Sequence, residues 1–177
     1  LPTHVFGSNT MIKHMLNEET LVGSAVADGF AEVHTDFAIH ADGFSRMVLL
    51  VGSMTQRRLG RLVQRLLEIE TYRMAALLGL PAAREAGSAL AYAERELAEL
   101  AEAIRTADRN DEPQLLDRLT KLAGQVESQY ASTHSRFSAS SAYFALVDDR
   151  IEDINESRLT GLQTIREFMD RRLTPAR

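Results

Sequence analysis

No cysteine occurs among the 177 residues, so disulfides, thiolate metal sites and a cysteine nucleophile are all excluded. That absence leaves the redox compartment open. Long apolar runs are missing too. The longest, Met47 to Val51, has the length of a strand, far short of the ~18 residues that a membrane span needs. No signal peptide opens the chain. Basic charge is also in short supply: 20 Lys and Arg against 25 Asp and Glu leave a net charge of −5, which argues against a nucleic-acid partner. There is no glycine-rich phosphate loop, nucleophile elbow or HExxH-type motif. No catalytic, cofactor-binding or metal-ligating residue is therefore assigned, and no cofactor is expected.

The apolar share of 45% and charged share of 25% are those of a folded, soluble protein. The length suits one ordinary domain, or a small domain with a helical extension. The chain opens on Leu1 without an initiator Met and stops at Arg177 just after a Pro, so it is expected to be a piece of something longer.

Residues 1–20 carry a weak pattern, read as one irregular strand around His4 to Met15. Leu21 to Ala27, closed by Asp28-Gly29, reads as a strand. Phe30 to Ala41 alternates, with Ala31, Val33, Thr35, Phe37, Ile39 and Ala41 on one side. Glu32, His34, Asp36, Ala38 and His40 take the other side, as in a half-buried strand. Asp42-Gly43 suits a two-residue hairpin turn, with Phe44 to Val51 returning as the next strand. The result is a small antiparallel meander over residues 1–52.

Residues 53–177 read as helices. Ser53 or Thr55 caps the first, with Gln56 completing a capping box, and it runs to about Leu78. Gly79-Leu80-Pro81 interrupts it, Gly79 serving as C-cap. A second helix, from about Ala82 to Ala107, has a seam of Ala86, Leu90, Ala93, Leu97, Leu100, Ile104 and Ala107. After a short polar turn, Pro113 to about Glu156 holds a seam in steps of three and four. It runs Leu116, Leu119, Ala123, Val126, Tyr130, Thr133, Phe137, Ser140, Phe144, Val147, Ile151 and Ile154. Such a helix would be roughly 60 Å long. Helix propensity is poor from Ser132 to Ser141, which leaves a break there open, yet the heptad phase survives the segment and favours continuity.

Short connections make neighbours antiparallel, so Ala82–Ala107 should cover Leu116–Thr133 and Ser53–Leu78 should cover Phe137–Ile154. Thr160 to Gln163 reads as the capping box of a last helix, stopped by Pro175. The fold class is α+β and mostly α: a small antiparallel β-meander, a long coiled-coil-like antiparallel helical hairpin and a short C-terminal helix.

Three sets of polar residues could carry chemistry. Glu70 and Arg73 fall mid-stripe on the first long helix and should pair, because an unpaired buried charge is very costly. In the hairpin they would lie near Asp148, Asp149 and Arg150, giving a buried polar network of Glu70, Arg73, Asp148 and Arg150. Its bland reading is an ion pair that fixes helix register; its sharper one is a ligand or catalytic role. The strand residues Glu32, His34, Asp36 and His40 form the second set, with Asp36 and His40 as candidates. On one strand His34 and His40 would stand about 20 Å apart, too far to share a metal, so a solvated face is expected. Arg57, Arg58, Arg61 and Arg65 form a basic edge, expected to be a solvated helix face.

Several runs bear a family resemblance. Thr35 to Phe44, Leu62 to Met74 with Leu77 to Pro81, Arg136 to Ser140, and Phe168 to Ala176 together resemble a bacterial family of predicted membrane-anchored proteins, domain of unknown function 3422. The likeness runs from Leu21 onward. It implies further sequence before Leu1 and apolar anchoring segments after Arg177, and it supplies no activity, cofactor or catalytic residue. His34 departs from the aromatic residue the resemblance implies, which argues against catalysis there.

On that resemblance the chain would be the membrane-proximal soluble region, on the cytoplasmic side, of a membrane-associated protein, and Arg57 to Arg65 gain a reading as contacts for anionic lipid. The function expected is scaffolding or protein interaction, through self-association of the helices or an unknown protein partner. The rival is an enzyme or small-ligand domain with a pocket between sheet and first helix, using Asp36, His40, Glu70 or Arg73.

Overall fold

The computed structural model describes residues 8–173, and side chains over 10–172. In order the elements are α1 (Ser8–Met15), a 3-10 turn (Glu18–Thr20), β1 (Val22–Val26), β2 (Ala31–Thr35) and β3 (Met47–Val51). There follow α2 (Gln56–Leu77), α3 (Leu80–Thr106), α4 (Glu112–Asp153), β4 (Ser157–Arg158) and α5 (Ile165–Leu173). The fold is α+β and mostly α, with an antiparallel sheet of order β3-β2-β1-β4. The chain forms two compact units. Of the described residues, one holds 8–74 and 143–173; the other is Ala75–Ala142.

In the sheet-bearing unit the alternation of β2 works as expected as far as Thr35. Val22 pairs with Thr35, Ser24 with Val33 and Val26 with Ala31, and all six side chains are buried. Leu62, Leu66 and Ile69 of α2, Val147 and Ile151 of α4, and Ile165 and Met169 of α5 complete that core. Each large side chain so buried contributes about 1.5–3 kcal/mol.

The second sheet face is covered as well, which corrects the expectation of a solvated one. His34 faces Gly23 across the ladder and is buried. A Cβ on Gly23 would meet Leu162 Cδ1 at 2.6 Å and His34 Nδ1 at 2.9 Å, so glycine is what lets the imidazole lie flat there. Beside it, Ile12 and Leu16 pack on Val48. Those two residues are four apart on α1, so the expected strand at His4 to Met15 is a helix from Ser8 onward; residues 1–7 lie outside the described residues.

The strand expected to reach Ala41 ends at Thr35 because side chains take over the ladder. Thr35 Oγ1 accepts from the Phe37 amide (3.1 Å) and donates to the Arg46 carbonyl (2.8 Å). Asp36 accepts from the amides of Ala38 (3.1 Å) and Asn17 (2.9 Å). Phe37 then turns to φ 50°. Asp42-Gly43 does turn, with Gly43 at φ 84°, but at the tip of a longer loop rather than as a two-residue hairpin.

The last helix also starts later than expected. Its capping box is not Thr160 to Gln163 but Thr164 and Glu167: the Thr164 amide donates to Glu167 Oε2 (3.1 Å) and the Glu167 amide to Thr164 Oγ1 (3.2 Å). That backbone bond, helped by the Arg158 guanidinium, holds the Glu167 carboxyl below its ordinary value. A depressed folded-state pKa adds stability above the unfolded value and loses it as pH falls through the folded one. An NMR titration should therefore place Glu167 below a free glutamate side chain. Arg158→Gln should raise it only in part, because the backbone bond remains.

The other unit is a pair of helices, α3 and the facing part of α4. Helix α4 is unbroken through Ser132 to Ser141. Gly79 is not a left-handed C-cap: it sits at φ −74° and ψ −20°. Its smallness serves close approach instead, since a Cβ there would run into the Ser140 hydroxyl, which donates to the Ala76 carbonyl at 3.1 Å.

Candidate functional site

Glu70 and Arg73 stand three apart on the buried face of α2 and meet as expected. Arg73 Nε donates to Glu70 Oε2 at 2.7 Å and Nη2 to Oε1 at 2.8 Å, a two-point contact with both side chains largely buried. The guanidinium lies 5.1 Å from the Phe37 ring centre, and Nη2 reaches the Phe37 carbonyl at 3.4 Å. Phe37 in turn stacks on Phe168, centres 4.6 Å apart. The pair therefore fixes the left-handed backbone of the loop after β2. Its donors and acceptors are taken up internally, which is the arrangement of a structural ion pair.

Arg150 does not join it. It pairs with Glu68, five residues before Arg73 on α2, and lies 3.4 Å from Asp153. The Gln64 amide, and next to it Arg150, hold the Glu68 carboxyl below its usual range. Arg65 lies 3.4 Å from Asp153, and the Tyr72 and Tyr143 rings stack 6.1 Å apart. Early α2 residues thus meet late α4 residues, confirming the expected antiparallel pairing.

Asp36 is buried and His40 Nε2 lies 3.0 Å from its Oδ2, within ion-pair distance but off the line of a hydrogen bond. His34 Nε2 is 3.4 Å from Glu32 Oε2, and its buried Nδ1 has no hydrogen-bond partner. These groups sit close to structural amides rather than around a common point. Among the described residues no three His, Asp or Glu side chains converge as a metal-binding set.

Sequence reasoning missed Glu156. Its Oε2 accepts from Ser24 Oγ (2.7 Å) and the Ile165 amide (3.1 Å), and Oε1 from the Arg166 amide (2.9 Å). One carboxylate thereby joins β1 to the start of α5. No local pattern marks it, because its partners lie nine and more residues away.

The helical pair presents a different kind of site. The α3 positions turned toward α4 are mostly small: Ala82 and Ala86 are buried, and Ala89, Ala93 and Ala103 half-buried, with Glu96 and Leu100 the larger exceptions. Leu90, Leu97 and Ile104, expected on the seam, are each about half exposed. On α4 the seam is buried at Thr133 and Ser140, but Leu116 is 64% and Tyr130 60% exposed. Each outward residue follows an inward one by a single step: Ala89, Glu96 and Ala103 on α3, Leu115, Leu122 and Gln129 on α4. In antiparallel helices that step turns to the same side of the pair. Leu90, Leu97 and Ile104 therefore share a face with Leu116, Ala123, Tyr130 and Phe137, each series spaced by seven. A groove of about 660 Å³ also runs between the two helices, lined by Leu90, Tyr92, Gln125 and Val126 among others.

Residues 4–177 match the model of the family described as Protein of unknown function (DUF3422). The chain belongs to that family. No curated protein and no solved structure matches it. Membership in DUF3422 brings no activity with it, so the geometry carries the functional reading. Among the described residues no helix of this DUF3422 chain is long and apolar enough to cross a membrane.

Proposed function

We propose that this protein is a self-associating scaffold in which two copies pair through the outward apolar face of α3 and α4, forming a four-helix bundle. The observation that carries this is the doubled seven-residue spacing on one side of the helical pair. Alanines make most of the contact between the two helices, with Leu100 as its one large member on α3, and among the described residues the larger side chains at 90, 97, 104, 116 and 130 stay half or more exposed. With Leu119 and Val126 included, the exposed strip is on the order of 800 Å², above the few hundred of ordinary monomers and equal to one partner's share of a standard interface. A second copy fits because it offers the same length, spacing and absence of charge. Membrane attachment through segments outside this chain, which the family resemblance implies, would concentrate copies and favour the pairing.

Light scattering and sedimentation of the chain should show a dimer. Leu97→Lys with Tyr130→Lys should weaken association by about 100-fold or more, since central apolar anchors carry most of an interface's energy, with the circular-dichroism spectrum unchanged. A monomer at tens of micromolar, or a dimer indifferent to both substitutions, would overturn the reading.

A further inference from the structure

Positive charge is gathered in one place in this acidic chain. From Gly43 to Leu67 there are five arginines, Arg46, Arg57, Arg58, Arg61 and Arg65, and no acidic residue. Four of them fall on the first turns of α2, at 0°, 100°, 40° and 80° around the helix by its ~100° step, so they share one side. That is the wrong end of a helix for cations, because the N-terminal amides are already positive, and the first turn holds no acid to offset them. Arg57 and Arg61 are also a like-charged pair four apart, which costs further stability.

Arg46 pairs with Asp42, and of the four arginines on α2 folding employs two. Arg58 pairs with Asp28 at 2.6 Å and donates to the Ala27 carbonyl; Arg65 pairs with Asp153 and donates to its carbonyl. Among the described residues of the sheet-bearing unit, Arg57 and Arg61 are the two Lys or Arg side chains with no acid, amide or ring as partner. Arg61 lines two cavities. One, of about 310 Å³, also has Arg58, Arg65, Asp28 and Asn155 in its wall. The other, of about 250 Å³, lies toward Arg150.

The wall of the larger cavity is strained. Ala27 (φ 53°), Asp28 (φ 60°) and Asn155 (φ 45°) all have left-handed backbone, three of the four non-glycine residues so placed among the described residues. They are held by the Ala27 amide on the Ile154 carbonyl (2.7 Å) and by Asn155 Nδ2 on Asp28 (3.3 Å). Strain of this kind persists where a site depends on it.

We propose that Arg57 and Arg61 bind a phosphate group, with Arg58 and Arg65, fixed by their aspartates, as the inner wall of the site. Asp28 and Asp153 cancel the two inner charges, so the two outer guanidiniums remain for the ligand. Two guanidiniums one turn apart match a phosphate dianion in charge and in paired donors. The site does not depend on association through α3 and α4.

The test uses the whole chain at low salt. It is titrated calorimetrically with inorganic pyrophosphate and sedimented with phosphatidylglycerol or phosphatidylcholine vesicles. At least one phosphate-bearing anionic probe should bind, more weakly as salt rises, and Arg57→Gln with Arg61→Gln should reduce that affinity ten-fold or more. Both side chains are exposed, so the double variant should melt no lower than its parent, whereas Arg58→Gln should melt lower. Binding of pyrophosphate identifies a soluble phosphate ligand; binding of phosphatidylglycerol vesicles alone identifies a lipid headgroup. Failure of both probes, or equal binding by the double variant, overturns the proposal.

Discussion

Glu70→Ala should lower the unfolding free energy by about 3 kcal/mol, the low end of the cost of orphaning one member of a buried ion pair. The substitution strands a guanidinium that is almost wholly covered and leaves it only the Phe37 ring and carbonyl and the Met74 sulfur. Urea denaturation measures this directly, and a loss below about 1 kcal/mol would mean that water reaches Arg73. Glu70→Leu combined with Arg73→Met should recover much of the deficit, because two apolar side chains of similar volume need no partners. Such recovery would establish the pair as a device for register and loop geometry rather than for chemistry.

Glu156→Ala should be almost as damaging, at about 2–4 kcal/mol, because Ser24 Oγ and the Arg166 amide lose their acceptor and the Ile165 amide keeps only Ser24 Oγ, at 3.1 Å. Ser24 is fully buried, and the Ile165 and Arg166 amides belong to the first turn of α5, where no intrahelical carbonyl can serve them. Glu156→Gln keeps one oxygen and should cost less. Hydrogen exchange at Ile165 and Arg166 gives an independent measure: both amides should become faster in the alanine variant, ahead of those in β2.

The long helices, their antiparallel pairing and the Glu70–Arg73 contact were legible because each rests on spacing within one element. The heptad phase of α4 carried across Ser132 to Ser141 despite poor propensity, since seven-residue repetition survives local weakness. Failures came where a distant group decided the outcome. The strand after Thr35 ended because Asn17 and Arg46 offered better partners than a continued ladder. His34 was placed in solvent because one strand's alternation cannot reveal that Leu162 lies over the other face.

On α3 the seam was misjudged in a more instructive way. Leu90, Leu97 and Ile104 are larger than their alanine neighbours, and hydrophobic size points to burial. The fold instead brings the smallest side chains to the contact, because small residues let two backbones approach closely. Glu70 and Arg73 were legible from their place mid-stripe on one helix, whereas Asp36 and His40 were named only as polar residues of a face expected to be solvated, and the burial of Asp36 was not foreseen. Glu156 and the strained turn at Ala27 were not, having no periodic signature.

The alanine-lined contact of α3 also has a mechanical consequence. Its alanines give a smooth track, along which a displacement of one heptad sets alanine where alanine had been except at Glu96 and Leu100. Leu100 is its single large buried tooth. The Ser140 hydroxyl on the Ala76 carbonyl then acts as a detent, and the Arg118–Glu96 pair as a weak second stop. Sliding by one heptad, about two turns, would have to release that hydroxyl and lift Leu100 out of its seat together.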